Sequence, residues 1–287
     1  MTDGQQREKL KILGIYAHPH DFLHSSGTCG NHVDAGDSVT VVVLTDGGST
    51  HNEDLIDALR KAPGESDDEV LQQSLKDYTD QKERELNAAA GQYGITDVRI
   101  LGYRDRPLIR TDEVVDEVVD LICKVRPDIL ITECPAHIAG SRAVPMPNDH
   151  YTVAAIVGEA MTIAINARAG SDRVPHRVAQ VYYMATDLAY GDIDFYIDIS
   201  NQYDKRLAAE MCFESQAQTP DYARKRVETL PGWLGFLVGV AYAEGFVRGG
   251  LKVDTLLSVS PVELGLSRES GGERIARQEL PQEPSNA

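Results

Sequence analysis

The chain has 287 residues and a formal net charge of −17 at neutral pH. A chain of this length buries a substantial core, and we predict one main domain. Binding of DNA or RNA requires a concentrated cationic face, so the acidic balance argues against nucleic acid as a partner.

No stretch reaches the roughly 20 apolar residues of a membrane span, and the N-terminal MTDGQQREKLK lacks the apolar core of a signal peptide. We therefore predict no membrane anchor and a cytoplasmic location. The four cysteines contain no CxxC pair. Buried reduced thiols are the simplest interpretation, although Cys134, which follows a strand, stays open as a catalytic thiol.

The boundaries of the domain follow from where the apolar pattern begins and ends. Residues 1–9 form a polar extension, residues 10–260 form the predicted domain, and residues 261–287 are polar and contain proline. Such a composition does not bury enough apolar surface to fold alone, so we expect the tail to be disordered.

The first third of the chain predicts a β-α-β unit. The runs LKILGIYA (10–17) and SVTVVVLT (38–45) are typical of strands covered on both faces, with a helix over 25–35 between them. An acidic connection over 47–68 follows, and its length indicates a loop near a site. A helical stretch then ends at Gly94.

The alternation continues to the C-terminal part. Predicted strands over 98–101 and 128–133 flank the helix TDEVVDEVVDLICKV, and another helix begins near Asp149. The segments RVAQVYYMAT and DFYIDIS predict further strands, WLGFLVGVAYAEGF predicts a core-facing helix, and LKVDTLLSV is a candidate last strand. This order predicts an α/β fold with a mostly parallel central sheet.

Two polar motifs follow strands of this sheet. AHPHDF (17–22) comes after the first strand, and PNDH (147–150) comes after the strand over 128–133. Sites in open α/β sheets lie beyond the carboxyl ends of the parallel strands, so we expect His18, Asp21 and His150 to converge. Two imidazoles and one carboxylate, with positions left for water and substrate, are typical of catalytic Zn²⁺.

Each of these residues also has a structural interpretation. His18 also fits a strand-end histidine bonded to backbone, Asp21 a helix N-cap, and His150 a first-turn surface residue. Taken singly, each such interpretation is at least as good as metal binding. The common placement at strand ends favours the metal.

The stretch from Ile12 to Gly48 resembles the opening of the LmbE-like (PIG-L) family of metal-dependent de-N-acetylases, with its A-H-P-D-D-E motif and a second strand ending T-D-G. KERELNAAAGQYGITDVRILGYRD resembles the family's R-x-x-E helix and next strand, PNDH its H-x-D-H, and FESQ and AYAEGF its C-terminal helices. The resemblance covers most of residues 10–250. It implies a Rossmann-like three-layer sandwich and hydrolysis of an N-acyl group, typically on an amino sugar, with Zn²⁺ or else Fe²⁺ or Mn²⁺.

The resemblance places the family's metal ligands on His18, Asp21 and His150. Its proton-accepting aspartate falls on His20, and its last acidic position falls on Phe22. We predict His20 as the general base because a neutral imidazole suits proton transfer near neutral pH; an extra ligand and an inert replacement are the alternatives.

The second motif departs as well. The first histidine of H-x-D-H falls on Pro147, which leaves the candidate catalytic residue Asp149 without its usual partner. His137 is the most economical substitute as proton donor, and Arg142 is a candidate for stabilising an oxyanion. A solvated loop explains both equally well.

Two further residues are candidates for contact with substrate. Lys82 occupies the arginine position of R-x-x-E, with Glu85 retained, although a surface Lys–Glu pair on a helix explains this spacing equally well. Glu133 lies at a strand end that points toward the site and is a candidate base or a carboxylate that orients an imidazole.

These observations predict a metal-dependent hydrolase that deacylates an N-acyl amine. Because the proton-handling positions differ, a hydrolase or lyase that acts on a non-sugar small molecule is an alternative, and a catalytically silent metal- and ligand-binding homologue is another. The expected partner is a small-molecule substrate, and a homo-oligomer remains open.

Overall fold

The computed structural model describes residues 7–62, 65, 68–135, 148–167, 170–186, 190–216 and 218–279. The strands are β1 (Lys11–Tyr16), β2 (Ser38–Thr45), β3 (Asp97–Tyr103), β4 (Ile129–Thr132), β5 (Gln180–Met184), β6 (Phe195–Asp198) and β7 (Ala243–Arg248). The α-helices are α1 (Ser26–Asp34), α2 (Glu53–Arg60), α3 (Asp68–Gln72), α4 (Leu75–Gly91), α5 (Asp112–Val125), α6 (Asp149–Ala164), α7 (Tyr203–Met211), α8 (Pro220–Thr229), α9 (Pro231–Val238), α10 (Pro261–Leu266) and α11 (Gly271–Arg277). Short 3₁₀ helices cover Pro19–His24, Tyr190–Asp192, Ser200–Gln202 and Glu214–Gln216.

The seven strands form one sheet in the order β3-β2-β1-β4-β5-β7-β6. The pairs from β3 through β5 are parallel, and β7 pairs antiparallel with both β5 and β6. Helices cover both faces of the sheet. The predicted three-layer α/β sandwich with a mostly parallel sheet is therefore confirmed.

The side chains of β1 alternate between two cores. Ile12 and Tyr16 pack with residues of α1, α4 and α7, whereas Leu13 and Ile15 pack with residues of α5 and α6. All four are fully buried. Burial of each aliphatic side chain of this size contributes roughly 1.5–3 kcal/mol, which explains why a central strand carries an almost unbroken apolar run.

The order of the strands reverses between β1 and β4. From β1 the chain builds outward through β2 to β3, and it then returns to place β4 on the other side of β1. A crevice forms beyond the carboxyl ends of the strands at such a reversal. The segments that follow β1 and β4 therefore meet at this crevice.

The last strand anchors the helix that follows the first motif. Glu244 of β7 accepts hydrogen bonds from the backbone N–H groups of Gly27 at 2.9 Å and Thr28 at 2.8 Å. These are unpaired donors at the positive end of α1, where a carboxylate is favourable. Burial nevertheless raises the pKa of Glu244.

The C-terminal part differs from the sequence prediction. WLGFLVGVAYAEGF is not one helix, because Gly239 adopts a φ of 84° that ends α9, and AYAEGF then belongs mostly to β7. Trp233 and Phe236 are 50% and 63% exposed, so α9 does not face the core as expected. LKVDTLLSV forms no strand; its apolar side chains have no sheet face to pack against and are exposed.

Two segments predicted to be irregular contain helices. The acidic connection includes α2, whose N-cap Asn52 accepts a hydrogen bond from Leu55 N. The tail, for which the sequence predicts disorder, contains α10 and α11, each opened by a Ser–Glu capping box, and neither helix buries a side chain.

Within the described residues, no helix combines the length and the hydropathy needed to cross a membrane.

Candidate metal centre

The turn after β1 brings the side chains of His18 and Asp21 together. His18 N–H donates to Asp21 Oδ2 at 2.8 Å, and Asp21 N–H donates to the His18 carbonyl at 3.1 Å. Asp21 is thus the third residue of a short 3₁₀ helix and caps it from within, rather than serving as the N-cap residue. This local turn alone fixes two of the three candidate ligands.

The start of α6 supplies the third candidate ligand. Asp21 Oδ2 lies 3.0 Å from His18 Nδ1 and 3.3 Å from His150 Nε2. One ligand atom from each of the three residues lies within 4.8 Å of the others. Ligand atoms of a tetrahedral Zn²⁺ with bonds of 2.0–2.1 Å lie about 3.3 Å apart. The spacing and the donor set therefore fit one small divalent cation.

Asp149 holds His18 from the side opposite Asp21. Its Oδ2 atom lies 3.1 Å from His18 Nε2, and its carboxylate also accepts the backbone N–H groups of Arg106 at 2.8 Å and Leu108 at 2.9 Å. Pro147 therefore does not leave Asp149 without a partner. A carboxylate on the outer ring nitrogen fixes the orientation of a metal-binding histidine, with Nδ1 facing the cluster.

Opposite charges dominate the protonation of this cluster. Burial alone lowers the pKa of His18, but the charge of Asp21 and the contact with Asp149 raise it to about 9. Burial likewise raises the pKa of Asp21, yet the two imidazoles lower it well below its usual range. A metal ion that binds here must displace a proton from His18.

Glu133 lies at the carboxyl end of β4, beside the cluster. Its Oε1 atom accepts the backbone N–H of Ala17 at 3.3 Å, and its Oε2 atom is buried with no hydrogen-bond partner among the described residues. Burial raises the pKa of Glu133, and the negative charge of Asp21 adds to this effect, whereas His150 lowers it. A carboxyl group of this kind can both accept and donate a proton near neutral pH.

His20 turns to a different cluster. Its Nε2 atom lies 3.4 Å from Glu210 Oε2 on α7, and its ring packs edge-on against Phe213 with centroids 5.0 Å apart. Burial lowers the pKa of His20, which keeps the ring neutral. Of the described residues, only Glu210 hydrogen-bonds to His20.

Two arginines balance the charge of Glu210. Arg206 donates through Nη2 to Oε1 at 2.8 Å, and Arg226 donates through Nε to Oε2 at 3.1 Å. Burial raises the pKa of Glu210, but the Arg206 charge, followed by His20, lowers it far below its usual range. His20, Arg206, Glu210 and Arg226 together are called the His20 cluster below.

Lys82 is not a surface residue, contrary to one of the two interpretations of its spacing. It is 1% exposed, and its Nζ atom has no hydrogen-bond partner among the described residues; it lies 4.9 Å from the Tyr78 ring centroid. Glu85 does not pair with it, and instead accepts the N–H and the hydroxyl of Ser215. Burial lowers the pKa of Lys82 to about 8.

The loop after β2 brings Lys82 close to the first motif. Gly47 has a φ of 68°, and a Cβ atom there would lie 3.0 Å from Pro19 and 3.8 Å from Lys82. Only glycine combines this left-handed conformation with such close approach. The T-D-G sequence thus packs its loop between the motif turn and α4.

Phe22, at the family's acidic position, is part of the core. It is fully buried, with ring centroids 5.9 Å from Tyr16 and 6.1 Å from Tyr93. His137, Arg142 and Pro147 lie outside the described residues.

Sequence pattern alone does not indicate a buried role for Glu210, Arg206 or Arg226. Arg206 and Glu210 are four residues apart on α7, which reads equally well as a solvent-exposed ion pair. Ala209 gives a weak indication that this face of α7 is buried, because it lies on the same face as Arg206 and Glu210.

Comparisons with known proteins agree with this architecture. The structure is similar to GalB, the 4-carboxy-2-hydroxymuconate hydratase from Pseudomonas putida KT2440, with a TM-score of 0.69 and 21% identity over 88% of this chain and 100% of that chain. It is also similar to the N,N′-diacetylchitobiose deacetylase from Pyrococcus horikoshii, with a TM-score of 0.64 and 20% identity over 84% of each chain. The A40926 pseudoaglycone deacetylase gives a TM-score of 0.56 and 16% identity over 85% of this chain and 100% of that chain.

At these identities the likeness shows the fold alone. No curated protein sequence matches the chain. The sequence model of the PIG-L family, described as GlcNAc-PI de-N-acetylase, matches residues 13–161. This match covers more than half of the chain and supports a hydrolase of C–N amide bonds. The chain belongs to the PIG-L family.

Proposed function

We propose that this protein is a metal-dependent hydrolase that removes an acyl group from an amine. The observation that carries the proposal is the convergence of His18, Asp21 and His150 at the reversal point of the sheet in a PIG-L chain. A metal-binding set that leaves positions for water and substrate has little structural use, which weighs against a catalytically silent homologue.

In this proposal His18, Asp21 and His150 hold the ion, and Asp149 fixes the ring of His18. The donor set suits Zn²⁺, and it also accommodates Fe²⁺ or Mn²⁺. When bound, a divalent cation here supplies Lewis acidity for the water and the amide carbonyl.

His20 is the proposed general base. With a proton on Nε2 facing Glu210, the other ring nitrogen, Nδ1, carries the lone pair that accepts a proton from the attacking water. Glu210 then stabilises the imidazolium that forms, as a carboxylate behind a catalytic histidine does. The proton returns to the nitrogen of the leaving amine when the C–N bond breaks.

Glu133 is the proposed second proton carrier. Its Oε2 atom has no hydrogen-bond partner among the described residues, and its carboxyl group interacts electrostatically with His150 and Asp21. Its raised pKa leaves it partly protonated near neutral pH. It can therefore donate to the leaving amine if His20 does not. Single substitutions separate the two roles.

The test is metal analysis of the purified protein, followed by a screen of acylated amines for amine release with and without a chelator. We expect one divalent ion per chain and chelator-sensitive release. His20→Ala should keep the metal and lose about 10²–10⁴ of the turnover if His20 is the base. Glu133→Gln provides the matched comparison, and Lys76→Ala, on the surface, provides the control.

Full activity in His20→Ala would transfer the base role to Glu133. Stoichiometric metal without turnover on any acylated amine or unsaturated carboxylate would instead favour the silent homologue.

A second candidate reaction is the addition of water to a carboxylated small molecule by a lyase. The specific observation is the buried ammonium group of Lys82, which has no hydrogen-bond partner among the described residues. A buried cation without such a partner is costly unless a ligand anion supplies one. GalB, a hydratase of similar fold, acts on a carboxylated compound by its name. Loss of absorbance of unsaturated dicarboxylates, abolished in Lys82→Met, would favour this reaction over amide hydrolysis.

A further inference from the structure

The turn that follows β3 brings Arg106 to the candidate metal centre. The backbone N–H of Arg106 donates to Asp149 Oδ2 at 2.8 Å, and the same oxygen lies 3.1 Å from His18 Nε2. One carboxylate group therefore separates the backbone of Arg106 from a candidate ligand. From this position an arginine side chain is long enough to contact a substrate that is bound at the ion.

The backbone of Arg106 adopts an unusual conformation. Its φ of 45° lies in the left-handed region, which an arginine seldom adopts. The hydrogen bonds from the N–H groups of Arg106 and Leu108 to Asp149 hold the turn in this conformation. Residues of this kind are concentrated at active sites and at sites that clamp ligands. The conformation therefore marks Arg106 as a candidate contact for a ligand.

A second cation lies near the same loop. Burial lowers the pKa of His51, in the loop after β2, the contact with Glu53 raises it, and the charges of Arg106 and Lys82 lower it. Arg106 is exposed, whereas Lys82 is buried. The crevice thus has one exposed and one buried cation near the loop after β2.

Neither cation has a hydrogen-bond acceptor among the described residues. Asp105 acts on Lys82 through its charge, but its carboxylate accepts the N–H of Ser49 at 2.9 Å and the hydroxyl of Thr50 at 2.6 Å. The guanidinium donors of Arg106 are therefore available to a ligand, and Lys82 adds positive charge to the region.

These donors favour a carboxylate as the ligand. A guanidinium group binds a carboxylate through two parallel N–H···O bonds, whereas an uncharged sugar hydroxyl gains much less from a cation. A phosphate group commonly binds to backbone N–H groups, and Asp149 already accepts those of Arg106 and Leu108. Side-chain recognition of a planar carboxylate fits this turn better.

We propose that Arg106 binds a carboxylate of the substrate, so that the site prefers N-acyl amino acids to N-acyl sugars. Lys82 strengthens this preference through its charge. The inference rests on the proposed amide hydrolysis for the class of substrate, whereas the carboxylate site itself is measurable by binding alone.

The first test is calorimetric titration of the metal-loaded chain with glutarate, a dicarboxylate that has no amide bond to hydrolyse. Arg106→Gln should weaken glutarate binding about 10–100-fold, because charge-assisted hydrogen bonds are lost. Asp149 bonds to the backbone of residue 106, so the variant should keep its metal, as elemental analysis would verify.

Arg104→Gln, at an exposed arginine on the same turn, is the matched control. It removes the same charge, and its glutarate affinity should stay within about twofold of the wild type, because salt screens an exposed charge that makes no contact with the ligand. Circular dichroism verifies that both variants are folded.

The second test separates binding from chemistry. With N-acetyl-L-glutamate as substrate, Arg106→Gln should raise KM about 10–100-fold and leave kcat nearly unchanged, because the carboxylate contact is the same in the ground state and the transition state. KM for N-acetylglucosamine should not change. Arg106→Lys should recover part of the loss, because it restores the charge without the bidentate geometry.

Three results would overturn the proposal. One is equal glutarate binding by the wild type and Arg106→Gln with the metal retained. Another is an equal loss in Arg104→Gln, which would assign the effect to overall charge. The third is Arg106-dependent binding of inorganic phosphate that is tighter than that of glutarate. If no acylated amine is hydrolysed but glutarate binding still depends on Arg106, the proposed reaction fails and the carboxylate site stands.

Discussion

The AHPHDF motif contributes side chains to two buried polar clusters, and the carboxylates of these clusters have different cationic partners. In the first, His18 and His150 surround the carboxylate of Asp21, and no lysine or arginine among the described residues forms an ion pair with it. In the second, the carboxylate of Glu210 lies between two guanidinium groups. His18 and His20 are two residues apart, yet each ring belongs to a different cluster.

This difference in cationic partners suits the first cluster to binding a metal ion and the second to stabilising the fold. A carboxylate whose cationic partners are histidines, which can give up their protons, is suited to taking up a metal ion. A carboxylate already paired with two arginines contributes by being fully satisfied, because a buried charge without its partner is strongly destabilising. Substitutions in the first cluster should therefore change metal content, whereas substitutions of the ion-paired residues Arg206, Glu210 and Arg226 in the second should chiefly change stability.

The largest expected effect is on the first cluster. Asp21→Asn keeps an oxygen for the His18 N–H but removes the charge shared by both imidazoles. We expect metal content to fall from about one ion per chain to near zero, and turnover to fall on the order of 1,000-fold. Elemental analysis and the amine-release assay measure both, with the exposed Asp80→Asn as control. Retention of a full equivalent of metal would remove Asp21 from the ligand set.

Next in size is the stability of the second cluster. Glu210→Ala leaves the buried Arg206 without its carboxylate, so we expect a loss of about 3–5 kcal/mol in the free energy of unfolding. Urea denaturation measures this loss, and metal affinity should stay the same. Lys76→Ala removes an ion pair whose lysine is 78% exposed, so the free energy of unfolding should stay nearly unchanged. Equal effects of the two substitutions would contradict the contrast drawn here.

A smaller effect is expected at Asp149, which contacts a candidate ligand and is not itself one. Asp149→Asn weakens the hold on His18 Nε2 without removing a ligand. Metal affinity should fall about 10–100-fold, as measured by competition with a chelator. An affinity unchanged within about twofold would show that the backbone alone orients His18.

The smallest effect concerns pH. The folded-state pKa of His18 is raised to about 9, so the protonated ring stabilises the metal-free fold fully below the unfolded value near 6.5, and this contribution is lost as pH rises through 9. Metal must displace that proton, so affinity should fall about tenfold per unit of pH below 9. Calorimetric titration at pH 7 and 8 tests this slope. His20 contributes no such slope, because burial lowers its pKa.

The sequence was sufficient where local pattern determines structure. β1 and β2 are visible as apolar runs, and the strand-end rule predicts that His18, Asp21 and His150 converge. The pairing of His20 with α7 was not visible, because it joins residues 190 positions apart and α7 reads equally well with either face outward. The end of α9 was missed because a glycine in an apolar run gives no indication of its φ.

The position of Phe22 limits how the candidate metal site can be remodelled. Its ring occupies the space between Tyr16 and Tyr93, so Phe22→Glu would place an unpaired carboxylate in the core at a cost of several kcal/mol. His20→Asp would likewise place a second buried acid beside Glu210. Restoring the family's acidic residues at positions 20 and 22 therefore requires two changes at once. The aromatic packing around Phe22 and the face of α7 behind His20 must be redesigned together.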